Sequence, residues 1–475
     1  MTKRRLGPLF GSLERGSGRP LHRTLYETAR DAILAGSLAP GERLPSTRVL
    51  ARDLGVSRTT ALAAFEQLAA EGYVTSRTGS GTRVAEGVAT LPPPPRPGRR
   101  RPSSSGRHLH HAPRPERPVA FAPGLPALDQ LPLALWSRTI ARCTRRATPE
   151  QLGYGHPLGE PRLRKAIARH AAAARGVRCD WEQVVVLTSA QQGIDLVARV
   201  TLEPGDRVWL EDPGYPGAVR GLASRRLELL PLPVDGSGAR TPNGPARLCY
   251  VTPSHQYPLG VAMSLERRLA LLDWAHTAGA LVVEDDYDSE FRLRGRPLQS
   301  LHGLDKGGHV LYMGTFSKLL FPSLRIAYLI VPGALVTRFE AARHLTDGHS
   351  ATLPQIALAE LLESGQLAAH VRRMRDVYSE RREALVAAVR ERLADRLELS
   401  AGDTGLHAVG YLTGHSDIAL SRRAAAAGLD LKPLSRYYRR RRAARSGFVL
   451  GYGGVPPEQI RSAVGRMAEL LPAEG

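Results

Sequence analysis

The apolar positions along the chain fall into three regimes. Between Pro20 and Val84 they recur at helical spacing and then alternate. Leu21, Leu25, Ala29 and Ala32/Ile33 mark one face of a helix over residues 20–36, with Gly36 placed as its stop. Pro40-Gly41 turns the chain. Ser46 then caps a short helix to Leu54, Gly55 breaks it, and Ser57 caps a third helix over 58–71. Leu62, Phe65 and Leu68 form the expected inner face of that third helix. Residues 72–77 and 81–84 alternate like two strands, with Thr78-Gly79-Ser80 between them. The second regime, residues 85–118, is almost without apolar positions and carries Pro92 to Pro95, Arg99 to Arg101 and Ser103 to Ser105. Such a stretch is too polar to fold and reads as a linker, partly stiffened as polyproline II. From Val119 to the end, short apolar runs alternate with helical patterns, the signature of an α/β architecture.

Three bodies follow from this pattern: a helical unit with a hairpin over 18–84, a linker over 85–118 and an α/β domain over 119–475. Helix, tight glycine turn, helix and hairpin is the pattern of a winged helix-turn-helix. Arg58, Thr59 and Thr60, following the cap Ser57, open the helix that would enter the major groove. Arg43, Ser46 and Arg48 are placed for phosphates, and Arg77 with Gly79 for the minor groove or backbone.

Charge supports a polyanionic partner. The chain carries 66 Lys/Arg against 45 Asp/Glu, a formal net charge of +21, and residues 1–117 hold 20 against 9. Three widely spaced cysteines, Cys143, Cys179 and Cys249, form neither a disulfide framework nor a metal motif, and read as buried thiols in a reducing compartment. The basic start is not followed by an apolar segment. No run approaches the roughly 18 apolar residues of a membrane span, so the expectation is a soluble cytoplasmic protein.

Lysine is rare in this chain, five residues among the 66 basic ones. Lys318 follows an apolar strand, Val310 to Met313, and precedes another that begins near Arg325. An isolated lysine is most often a helix-edge residue with its head in water. An amine among apolar residues, however, can lose its proton and condense with an aldehyde, which a guanidinium cannot. Thirty-three positions upstream the strand Leu281 to Val283 ends in Glu284-Asp285-Asp286-Tyr287-Asp288. Asp285 could partner a protonated pyridine nitrogen and Tyr287 a phenolic oxygen. Residues two apart on a strand share a face. A solvated acidic loop is the alternative. Val184 to Leu196 reads as strand, polar turn and helix, which aims the amides of Ser189, Ala190 and Gln191 at an anion. Arg325 could add a bidentate contact, Tyr215 a ring-stacking wall, and residues 252–260 a rigid donor-rich loop.

This set resembles the fold-type I pyridoxal-phosphate proteins of the aminotransferase class, over roughly three quarters of the chain. The resemblance implies pyridoxal 5'-phosphate as cofactor, held as a Schiff base on Lys318. It implies Asp285 and Tyr287 as the ring partners, Ser189, Ala190, Gln191, Ser317 and Arg325 as the phosphate cup, and Tyr154 reaching across a homodimer interface. The N-terminal unit resembles the winged helix-turn-helix of GntR regulators through residues 39–48, Leu54 to Thr60, Gly72-Tyr73 and residues 77–82. The two together give the layout of the MocR subgroup. That layout implies a transcription regulator that binds a double-stranded DNA operator and senses pyridoxal phosphate or an amine or amino acid. An aminotransferase with an accessory DNA-binding module is the alternative. Departures from the catalytic pattern favour the regulator. Val449 stands in the slot of the arginine that usually holds the substrate carboxylate, with Arg436 or Arg445 as possible substitutes. Tyr257 replaces the asparagine near the ring hydroxyl, and Ser189 and Ser323 stand where glycine is common.

Overall fold

The computed structural model describes residues 20–77, 80–88, 119–293, 295, 298–402 and 404–471, in two compact units. Gly79 and most of the expected linker lie outside the described residues.

In the first unit, α1 (Leu21–Leu34), α2 (Thr47–Leu54) and α3 (Arg58–Ala70) precede the antiparallel pair β1 (Val74–Arg77) and β2 (Gly81–Val84). Both expected caps form. Ser46 Oγ accepts the Val49 amide at 3.4 Å and Ser57 Oγ the Thr60 amide at 3.0 Å. Gly55 ends α2 in the left-handed conformation, φ 64°. The core is built from Leu25, Tyr26, Ala29, Ile33, Phe65, Leu68, Val74 and Val84 among others. One expectation fails here. Leu62 faces solvent, 44% exposed, and Ala61 and Ala64 take the inner positions. Two small residues allow α3 to pack close against α1 and α2, and this turns the larger side chain outward.

The second unit is organised on a mixed eight-stranded sheet. Its strands in chain order are β3 (Val184–Leu187), β4 (Arg207–Asp212), β5 (Glu228–Asp235), β6 (Gly238–Ala239), β7 (Leu248–Val251), β8 (Leu281–Asp286), β9 (Val310–Thr315) and β10 (Ala327–Ile330). Their spatial order is β3-β10-β9-β8-β7-β4-β5-β6. β9, β8, β7, β4 and β5 are mutually parallel. β3, β7 and β10 are buried along their whole length, as expected of strands covered on both faces. β10 runs antiparallel to both its neighbours. The link from β9 to β10 is too short to hold a crossover helix, and adjacent strands joined that directly must run in opposite senses. A smaller antiparallel sheet follows, in the order β11 (Leu397–Leu399), β12 (His407–Leu412), β14 (Gly447–Gly451), β13 (Lys432–Pro433). The long helix Gln366–Leu393 precedes it. Of the cysteines, Cys143 and Cys249 are buried and Cys179 is only partly so.

Topology brings the candidate residues together. β3, β4, β7, β8 and β9 all run the same way, so Ser189, Tyr215, the 252–260 loop, Tyr287 and Lys318 follow their carboxyl ends at one edge of the sheet. Arg325 reaches the same edge because β10 is reversed and starts there. Ligands of open α/β sheets bind along this edge.

Candidate functional site

The helix Ala190–Thr201 starts at this edge, capped by Ser189, whose hydroxyl accepts the Gln192 amide at 3.2 Å. The Ala190 and Gln191 amides have no acceptor among the described residues. Such a helix end favours an anion through its free N–H groups and its dipole. Gln191 turns its side chain to the Gly217 carbonyl, 3.1 Å away. Across the edge, the Ser317 amide donates to Thr315 Oγ1 at 3.2 Å. Arg325 holds a left-handed backbone, φ 55°, and makes no ion pair among the described residues. A non-glycine residue in that region costs about 1 kcal/mol or more, a strain that concentrates at ligand-holding positions.

The acidic run is no solvated loop. Glu284, Asp285, Asp286 and Asp288 are all buried. Alternation along β8 gives the carboxylates different partners. Glu284 accepts the Leu301 and His302 amides at 3.0 and 2.9 Å. Asp286 pairs with Arg175 at 2.6 Å and accepts the Tyr312 hydroxyl at 2.7 Å. Burial works against the Asp286 charge, but Arg175 holds its carboxyl below the usual range. Asp285 faces the other way and accepts the hydroxyl of Tyr250. Burial pushes the Asp285 carboxyl up to about 7, opposed by that hydrogen bond and by the Lys318 charge and reinforced by Asp286 and Asp288. A buried carboxylate of this kind gains most from a cation placed against it.

Lys318 is half-buried and its amine donates to the Gly124 carbonyl. Gly124 has φ +75°, and a Cβ there would lie 2.8 Å from the amine nitrogen. Tyr215 meets the Tyr257 ring edge-on with centroids 5.8 Å apart, and Tyr257 in turn contacts Tyr287, His407 and Tyr437. The 252–260 loop is fixed through Gln256, whose amide nitrogen reaches Glu211 Oε2 at 3.1 Å and the Pro213 carbonyl at 2.8 Å. Val449 is fully buried among Leu259, Val409 and Leu434. Arg436 and Arg445 are exposed, and Arg445 stacks over the Tyr411 ring at 3.6 Å. Tyr154 stands apart, 99% exposed and edge-on to His349.

The sequence reading missed Gly124, Tyr250, His255, Asp288 and His407. Tyr250 had a usable signal, a polar-tipped side chain inside the apolar strand Leu248–Val251. Gly124 had none, because it meets a residue 194 positions away.

On the first unit, Arg43, Arg48, Arg58 and Arg77 are exposed and make no ion pair among the described residues. Ser57 Oγ lies 2.7 Å from both Thr59 Oγ1 and Thr60 Oγ1, which ties the start of α3 together. Arg83 donates to the Gly41 carbonyl at 2.9 Å, joining the β1–β2 hairpin to the loop before α2.

Fold and site define a DNA-binding unit followed by a pyridoxal-phosphate, aminotransferase-like domain. Residues 21–84 match the gntR family of bacterial regulatory proteins, and residues 123–429 match aminotransferase class I and II. The chain belongs to the MocR-type regulators of the gntR family. It is 43% identical over 468 residues to the probable rhizopine catabolism regulatory protein MocR of Rhizobium meliloti, covering 95% of this chain and 94% of that one. It is 33% identical to the pyridoxine biosynthesis transcriptional regulator PdxR of Corynebacterium glutamicum, covering 94% and 96%. Among solved structures it resembles the kynurenine aminotransferase of Pyrococcus horikoshii, with TM-score 0.69 and 26% identity over 74% of this chain and 90% of that one. It also resembles the α-aminoadipate aminotransferase LysN of Thermus thermophilus, with TM-score 0.68 and 29% identity over 74% and 92%.

Pyridoxal phosphate is the cofactor of this class, and the residues fit it. Helix amides and an arginine that have no partner among the described residues suit the phosphate, and a buried carboxylate suits the ring nitrogen. Among the described residues no helix is long and apolar enough to cross a membrane.

Proposed function

We propose that this protein regulates transcription by sensing pyridoxal phosphate, or an amine or amino acid that reacts with it, through its aminotransferase-like domain. The Ala190 and Gln191 amides, Ser189, Ser317 and Arg325 hold the phosphate. Asp285 holds the protonated ring nitrogen, Tyr287 partners the ring hydroxyl, and Tyr215 bounds the ring face. Lys318 provides the amine that joins the cofactor, and Tyr154 serves the site of a second copy. When bound, the cofactor supplies an aldehyde carbon that an incoming amine can occupy.

The regulatory step is linkage. A ligand that binds two arrangements of the domain unequally shifts the DNA-competent population, typically by about 1–3 kcal/mol. The observation that carries the choice of regulator over enzyme is the apolar packing around Val449. Among the described residues packed around Val449 there is no guanidinium for a substrate carboxylate, so efficient transamination lacks its usual anchor. DNA binding comes from Arg43, Arg48, Arg58 and Arg77, which make no ion pair among the described residues.

Lys318→Ala tests the reading. The wild-type chain loaded with pyridoxal phosphate should absorb near the edge of the visible, and the variant should lose that band while its DNA affinity is largely kept. An unchanged band removes Lys318 from its role. Turnover of an amino acid with 2-oxoglutarate at enzyme-like rates would replace regulator by enzyme.

A further inference from the structure

Behind Tyr287 lies a buried pair of side chains that the contacts above do not use. We propose that Asp288 and His255 are positioning residues that set the direction in which Tyr287 presents its hydroxyl hydrogen. The proposal rests on the reading of Tyr287 as partner of the cofactor's ring hydroxyl.

The pair is closed on every side. Both side chains are only 2% exposed. His255 Nδ1 lies 2.9 Å from Asp288 Oδ1 and 3.0 Å from the Tyr287 hydroxyl oxygen. The second Asp288 oxygen accepts the Leu406 amide at 3.3 Å. Gly405, φ +81°, seals the remaining wall, because a Cβ there would sit 2.2 Å from the His255 ring and 2.4 Å from Asp288 Oδ2. His407 packs its ring 4.8 Å from that of His255 and is bonded through Nε2 to the Pro258 carbonyl at 3.0 Å.

Donors and acceptors decide the tautomer. An ionised carboxylate can only accept, so the nitrogen facing Asp288 must carry the hydrogen. His255 therefore carries its hydrogen on Nδ1, while its Nε2 is buried without a partner among the described residues. The same Nδ1–H also faces the Tyr287 oxygen, which then receives a hydrogen bond instead of giving one. The phenolic hydrogen is left for the pocket, where an anionic ring oxygen needs a donor. In the other tautomer Tyr287 would donate into Nδ1 and turn only lone pairs toward that oxygen.

The test uses the full chain with pyridoxal phosphate, reading the cofactor's absorbance maximum, its dissociation constant and each variant's thermal midpoint. Tyr287→Phe should weaken cofactor binding at least about tenfold, the worth of a hydrogen bond to a charged acceptor. Asp288→Asn, which offers Nδ1 an N–H instead of an acceptor, should reproduce that loss and spectral shift. The double variant should be no worse than Tyr287→Phe alone. His255→Asn, whose amide N–H can replace Nδ1–H, should stay near wild type, whereas His255→Leu should match Tyr287→Phe. Additive losses in the double variant, or a normal spectrum in Asp288→Asn, would overturn the proposal. If Asp288→Asn does not fold, the contrast between His255→Asn and His255→Leu decides it. An unaffected Tyr287→Phe would instead overturn the reading of Tyr287 itself, and the proposal with it.

Discussion

At the scale of one residue, Asp285 makes the clearest prediction. Its folded carboxyl is pushed up to about 7 by burial, while in the unfolded chain it titrates near 4. Below about pH 4 both states hold the proton and the residue costs nothing. Between about 4 and 7 the unfolded state ionises while the folded state resists, so this contribution to stability is lost as pH rises. Glu211, pushed up to about 7 by burial, acts in the same sense. His370 and His407, held down to about 4 by burial, act in the opposite one. The effect must therefore be read as a difference between two chains. Cofactor-free wild type should lose stability against Asp285→Asn by a few kcal/mol between about pH 4 and 7, as chemical denaturation at several pH values would measure. A protonated ring nitrogen against Asp285 should shrink that difference. A pH-independent gap would mean that Asp285 is not a strained acid.

At the scale of elements, sequence pattern located most of what carries the site. The strand before Lys318, the helix start after the 188–189 turn and the strand from Leu281 into the acidic run were all legible, because each is written in local periodicity and turn chemistry. The reversal of β10 was legible only in hindsight, from the length of its connection to β9. The Asp288–His255 pair was not, because it joins residues 33 positions apart and is completed by the Leu406 amide, 118 positions beyond Asp288. Leu62 shows the limit on helices. Helical spacing permits it on the inner face, and only the choice of Ala61 and Ala64 as packing residues turns it outward. That outward leucine shares the exposed side of α3 with Arg58 and Thr59. Arg58→Ala should weaken operator binding by about 1–3 kcal/mol if the arginine reads a base edge. Leu62→Ala should cost affinity chiefly on sites whose thymine methyl it touches, so replacing thymine by deoxyuracil should mimic it. Fluorescence anisotropy on a duplex selected by the protein itself, against a scrambled one, measures both. Equal losses on the two duplexes would assign Arg58 to the phosphates and leave Leu62 without a role in recognition.

At the scale of the molecule, each unit closes its own core. The buried side chains of the first unit's core all lie between Leu25 and Val84. On the proposed reading, the effector acts on two DNA-binding units carried by two copies of the chain. Tyr154 at 99% exposed, with Leu345 at 78% and Leu152 at 64%, are large apolar side chains left in water. Tyr154 also stands beside His349, four residues after Leu345. A contiguous apolar patch marks an interaction surface, and Tyr154 is the residue proposed to serve a second copy. On the proposed homodimer, Tyr154→Asp combined with Leu345→Asp should shift the protein from dimer to monomer in sedimentation. Cofactor retention should fall with it, since Tyr154 then serves no neighbouring site. Binding to a single half-site should survive while binding to a paired operator drops steeply, because the second DNA-binding unit loses its effective concentration. If the paired operator is still bound tightly by a monomeric variant, the DNA-binding units act singly and the effector must work by some other route than their pairing.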